Sequence, residues 1–214
     1  MGWTIRKKLL TAFIGSSLIL LGIGAFSLYK MSALNADTDE IGTNWLPSTQ
    51  YIGLMTAELN RLRVLDIRLF ITTDKDDRQK IEEGIKQTIQ RYHELDQKFT
   101  PFLTYDDEKR AYAEASNSMK DYLREREQLI SLLGQDRQPK ARQAAIASSV
   151  PIYEKTVQLH KDLVEIERKY GTEIVGRSRG HYNHSWWIMI LAIGIVVMLS
   201  LASGLWLANA ISRP

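Results

Sequence analysis

The sequence predicts an all-α protein: an antiparallel up-down four-helix bundle flanked by two transmembrane helices. Three observations carry that expectation. Two long uncharged apolar runs lie towards the two ends of the 214-residue chain. The segment between them repeats apolar residues every three or four positions, the period of one helix face. That segment shows neither strand-like alternation nor an Asn-Gly hairpin signal.

The first apolar run fills positions 9–29 between Lys8 and Lys30, 21 residues without a charge. The second fills 185–212 between His184 and Arg213, 28 more. A helix rising about 1.5 Å per residue needs about 20 apolar residues to cross the hydrocarbon core, so both qualify. The basic start Arg6, Lys7, Lys8 would also suit a signal peptide. Signal cores, however, run about 7–15 residues, and no A-x-A site follows, so an uncleaved anchor is expected.

Arg6, Lys7 and Lys8 precede the first run and Arg213 follows the second, which by the positive-inside rule puts both termini in the cytoplasm. Trp186, Trp187 and Trp206 sit where interfacial aromatics belong. The expected organisation is a cytoplasmic start at 1–8, a transmembrane helix at 9–29 and an extracytoplasmic bundle at 30–184. A second transmembrane helix at 185–210 and a short remainder at 211–214 follow.

This topology removes the apparent basicity. The formal net charge is +3, but four basic residues flank the membrane runs. Residues 30–184 hold 24 basic residues against all 25 acids, a net of −1. No phosphate funnel results, and nucleic acid is not an expected partner. Membrane lipid is. The absence of cysteine fits an oxidising compartment and also many cytosolic chains.

Within the bundle, the first helix runs out of the first span and contains Asn44-Trp-Leu-Pro-Ser48, with Pro47 expected to kink or restart it. In the second, Ile81, Ile85, Ile89, Tyr92, Leu95 and Phe99 share one face. Thr72-Thr73-Asp74 offers capping oxygens ahead of it, and Thr100-Pro101 ends it. Thr104 to Asp107 resembles a capping box with Asp in place of Glu. In the third helix Tyr112, Ala115, Met119, Tyr122, Leu129 and Leu133 form the stripe, and Gly134-Gln-Asp136 closes it. The fourth carries a less regular set, Ile152, Val157, Leu163, Ile166, Tyr170 and Ile174. It is expected to continue into the second span, with Pro151 kinking or restarting it.

No Gly-rich phosphate loop, H-E-x-x-H or G-x-S-x-G motif occurs. Neither an enzyme nor a cofactor is therefore expected. His181 and His184 have the three-residue spacing of helical metal ligands, but no third ligand stands nearby. They are read as interfacial side chains rather than a metal site. His93 and His160 stand alone, and charge-rich stretches such as Arg124-Glu-Arg-Glu127 read as solvated helix surface.

The ending Ile211-Ser-Arg-Pro214, the stretch Asn44-Trp-Leu-Pro-Ser48 and the two-span plan together resemble the sensor region of bacterial methyl-accepting chemotaxis receptors. In that family a proline just inside the membrane opens a HAMP linker, so residues 211–214 resemble its truncated start. The resemblance implies an inner-membrane homodimer acting through a downstream chemotaxis kinase complex by way of a missing cytoplasmic part. The same input module also serves sensor histidine kinases and cyclic-nucleotide enzymes, which remain alternative outputs. A non-signalling membrane-tethered scaffold is a third reading.

Ligand-binding candidates lie in the first bundle helix. Arg61 and Arg68, seven apart, share a face. Arg63 falls in the sector of Ile52, Met55, Leu59 and Phe70, with Asp66 nearby. One reading of Arg63 and Asp66 is an internal ion pair. The other is that Arg61, Arg63 or Arg68 grips the carboxylate of a small anionic ligand, an organic acid or amino acid, through the planar guanidinium fork. In aspartate-type receptors of this family a Gln-Pro-Thr segment on the fourth helix contributes as well. Gln138-Pro139-Lys140 keeps the Gln-Pro, so the resemblance adds Gln138.

Overall fold

The computed structural model describes residues 5–135 and 139–212, and these are helical except at the turns near 72–74 and 103–105. The elements are α1 (Ile5–Glu40), a π-helical turn (Ile41–Trp45), α2 (Leu46–Ile71), α3 (Lys75–Phe99), α4 (Asp106–Gln135) and α5 (Pro139–Ser212). A short 3₁₀ turn, Thr100–Phe102, follows α3. Two compact units result: Ile41–Thr172, and the segments before and after it. No strand occurs among the described residues, and the fold is all-α, a four-helix bundle with two candidate membrane-spanning helices.

Local chemistry sets each boundary. Pro47 lies in the first turn of α2. An α-helical turn ending there would need an N–H that proline lacks, and the chain widens into the π turn just before it. Asp74 caps α3, its side chain accepting from the Asp77 amide at 2.9 Å, with Asp76 and Asp77 in the first turn. Pro101 is the second residue of the 3₁₀ turn, and Thr100 before it keeps helical angles. The α3 ladder stops because proline has no donor, rather than because Thr100 turns extended.

The capping box of α4 is built by another acid than expected. Glu108 Oε2 accepts from the Thr104 amide at 2.7 Å and the Tyr105 amide at 3.0 Å. Asp107 is too short to reach back and accepts instead from the Glu108 amide and the Tyr170 hydroxyl. Nor does Pro151 restart a helix. α5 begins at Pro139, where a missing N–H costs nothing, and runs through Pro151 in helical register.

The core of the 41–172 unit joins all four of its helices. Ile52, Met55, Leu59, Leu62 and Leu69 of α2 meet Ile81, Ile85, Tyr92 and Phe99 of α3, Met119 and Tyr122 of α4 and Leu163 of α5. A smaller cluster, Phe70, Leu129 and Ala145, closes beside it. Burying such side chains contributes about 1.5–3 kcal/mol each. The anticipated stripes of α3 and α4 face this core: Ile81, Ile85, Tyr92, Phe99, Ala115, Met119, Tyr122 and Leu129 are all buried.

The other unit pairs α1 up to Glu40 with α5 from Glu173 onwards. Each of the two long helices contains a window long and apolar enough to cross a membrane, with its side chains facing outwards. Leu21, Leu28, Leu191 and Leu205 are at least 65% exposed, a distribution that suits lipid rather than water.

Candidate functional site

Polar and charged side chains pass through the bundle core in layers, each joined by contacts to neighbours on other helices. In the first, Arg63 is 7% exposed. Its guanidinium donates to Ser149 Oγ at 2.5 Å and to the Ile146 carbonyl at 3.2 Å, and it stacks over Tyr153 at 5.5 Å. Asp66, 2% exposed, accepts from Arg126 Nε at 2.5 Å and the Tyr122 hydroxyl at 3.0 Å. Burial pushes the Asp66 carboxyl above the usual carboxylate range, against the opposing pull of Arg126.

Arg63 and Asp66 are thus both internal, but they are not each other's partner. Arg126 on α4, unmarked in the sequence among charges that read as solvated surface, takes the carboxylate. Arg63 is held by neutral groups of α5, and no carboxylate lies within ion-pair distance of it among the described residues.

Arg61 and Arg68 point the other way. Both are exposed, and neither has an ion-pair partner among the described residues. At about 100° per residue they share a face with Leu46, Ala57, Val64 and Ile71, all four exposed as well. No acid of α2 lies on this face. Gln138 falls outside the described residues.

A second layer crosses the middle of the bundle. Tyr92 OH lies 2.9 Å from His160 Nε2, and His160 Nδ1 lies 2.8 Å from the Thr156 carbonyl. A carbonyl can only accept, so Nδ1 carries the proton and Nε2 accepts from the tyrosine. Burial holds the imidazole below its ordinary titration range. Thr156 Oγ1 in turn meets Ser118 Oγ at 2.8 Å.

The third layer gathers where α2 and α4 begin. Ser48 Oγ donates to Glu167 Oε2 at 2.6 Å, and Trp45 Nε1 donates to the Glu167 carbonyl at 2.5 Å. Glu108 and Glu167 are 2% and 5% exposed. Tyr105 stacks on Tyr170 with centroids 3.8 Å apart. Burial, and then the Glu108 carboxyl, push the Glu167 carboxyl up to about 8.

In the other unit, Arg177 bridges Asp37 at 2.8 Å and Glu40 at 2.7 Å, tying α1 to α5. His181 Nδ1 approaches Asp37 Oδ2 at 3.3 Å, whereas His184 is exposed. No group of three or more potential metal ligands occurs among the described residues.

Residues 2–182 match the family described as the four helix bundle sensory module for signal transduction. The chain belongs to that family. No curated protein and no solved structure matches the chain. The family agrees with the four-helix bundle, and it supports a chemoreceptor sensor domain for signal transduction. Membership together with two apolar helices points to a membrane location for the sensory module.

Proposed function

We propose that this sensory module is the input region of a transmembrane chemoreceptor and not an enzyme. It works as a homodimer in the cell membrane, with residues 30–184 outside and both termini in the cytoplasm. A small carboxylate, an organic acid or amino acid, binds between copies at Arg61 and Arg68. The single observation behind this reading is the exposed α2 face, where two guanidiniums without an ion-pair partner among the described residues sit beside Leu46, Ala57, Val64 and Ile71.

Physical chemistry connects these features. An exposed stripe with heptad spacing is what a helix presents to a second helix. Joining two copies by a twofold through this face would bring four guanidiniums together with no acid on the face to offset them. An anion between them offsets that repulsion, so ligand and dimer geometry are linked. Arg63, held inside the bundle, positions α5 against α2 and does not touch the ligand.

A ligand shifts such an equilibrium only by its differential affinity for two arrangements. The continuous α5 offers a route by which a displacement of about 1–2 Å reaches a cytoplasmic output and, through it, the chemotaxis kinase complex. Calorimetry on the full chain in lipid nanodiscs, with succinate and aspartate as probes, tests the site. Arg61→Ala and Arg68→Ala should each weaken binding about 10- to 100-fold, the loss of one charge-assisted hydrogen bond. Unchanged affinity in both variants removes the arginine assignment.

A further inference from the structure

Two carboxyls meet inside the third polar layer, and their surroundings treat them differently. Glu108 lies in the first turn of α4 beside Asp106 and Asp107, and its Oε2 accepts from two backbone amides at 2.7 and 3.0 Å. Those two donors are free N–H groups at the start of a helix. Glu167 has no such support. Among the described residues its Oε2 takes only the Ser48 hydroxyl at 2.6 Å, and its buried Oε1 has no donor. The Tyr105–Tyr170 stack and the bond from the Tyr170 hydroxyl to Asp107 hold the turn of α4 that carries Glu108 against the turn of α5 that carries Glu167, and the Glu108 carboxyl acts on Glu167 as a like charge. Two buried carboxylates in that position would repel and leave Oε1 unsatisfied, whereas one proton between them satisfies both.

Among the described residues no cation is paired with either carboxyl. The start of α2, from Trp45 to Ile52, carries no charged residue. On α4, Asp107 is engaged by the Tyr170 hydroxyl, and Lys109 lies on the exposed side near Asp106. On α5, Arg168 pairs with Glu165, and Lys169 lies over the Tyr170 ring. At the end of α3, Asp96 takes the Tyr112 hydroxyl.

We propose that Glu108 and Glu167 form a proton-binding site, holding one proton between two buried carboxyls and releasing it as the surroundings turn alkaline, so that the bundle responds to pH. Release leaves two adjacent buried anions. They separate by admitting water or by loosening α5 from the starts of α2 and α4. Trp45, which donates to the Glu167 backbone, and the Tyr105–Tyr170 stack lie in the path of that movement. The proposal is independent of the carboxylate site at Arg61 and Arg68.

Infrared difference spectra of the full chain in lipid nanodiscs, titrated between about pH 6 and pH 9, read the proton directly. The expected result is a protonated-carboxyl band lost near the value of about 8 to which Glu167 is pushed and missing in Glu167→Gln. Glu108→Gln removes the like charge and should move the midpoint down. Ser48→Ala removes a donor to the ionised form and should move it up, and this small change keeps the test open if a glutamate variant fails to fold. Hydrogen exchange at 41–48 and 104–108, corrected for intrinsic rates, should quicken across the same transition in the parent chain only. A parent chain without the band at the acid end, or a band that survives Glu167→Gln, overturns the proposal. Exchange that ignores the transition overturns the pH response.

Discussion

The indole of Trp45 occupies the space left by the missing side chain of Gly171: a Cβ built on that glycine falls 2.1 Å from Trp45 Cε2. Helix backbone and aromatic ring are therefore in direct contact where α2 begins, and the same indole donates to the Glu167 carbonyl.

Gly171→Ala should expel the ring and destabilise the bundle by about 1–3 kcal/mol, the usual cost of overpacking. In a Trp45→Ala background the obstacle is gone. There the same substitution should stabilise by about 0.5–1 kcal/mol, because alanine is the better helix former. Thermal unfolding of the four variants in nanodiscs closes the cycle, and an equal effect in both backgrounds would clear the indole of blame.

Arg126 neutralises a carboxylate that is 2% exposed. Arg126→Ala should cost about 3–5 kcal/mol, since the charge left behind is buried and unpaired. Adding Asp66→Leu should recover much of that loss. If the double variant is as unstable as the single, the ion pair is not what the first substitution broke. With Arg126 present, burial still raises the folded Asp66 above its unfolded value. Its contribution to stability is therefore full below the unfolded value and declines as pH rises through the folded one.

His160 works in the opposite direction. Burial holds its folded value below the ordinary 6.5 of histidine, so the unfolded chain takes up a proton first as pH falls. Stability should drop with falling pH below about 6.5. Tyr92→Phe would leave Nε2 buried without a donor and should cost about 1–3 kcal/mol. Unfolding curves for the parent chain and Tyr92→Phe at a series of pH values check both statements; a flat profile between pH 5 and 7 in the parent would remove the histidine from the account.

The chain has no cysteine, so Ala57→Cys places a single thiol on the exposed α2 face. If copies pair through that face, mild oxidation in membranes should give a disulfide-linked dimer, which needs Cα atoms about 4.4–6.8 Å apart. A cysteine at Lys86, exposed on α3, should not cross-link. Equal cross-linking at both positions would argue against an α2 seam.

The apolar period of α3 made its inward face legible from residues alone, because Ile81, Ile85, Tyr92 and Phe99 are both apolar and buried. α5 was harder to read, for a physical reason. Its inward positions include Ser149, Thr156, His160, Glu167 and Gly171 beside Leu163 and Ile174, so the helical period is present but hydrophobicity does not trace it. His160 looked solitary because its partner, Tyr92, lies 68 residues away. Arg126 looked like solvated surface for the same reason, its carboxylate being 60 residues back.

Residues read one helix at a time were enough for the all-α class, the two apolar helices, the cap at Asp74 and the opposite facing of Arg61 and Arg63, since these depend on local chemistry and a fixed helical period. Which charges meet came from the packing of helices: Arg126 rather than Arg63 for Asp66, neutral groups for Arg63, and one acid beside another at Glu108 and Glu167. Such pairings depend on the register between helices distant in sequence, and no periodicity within a single helix encodes it.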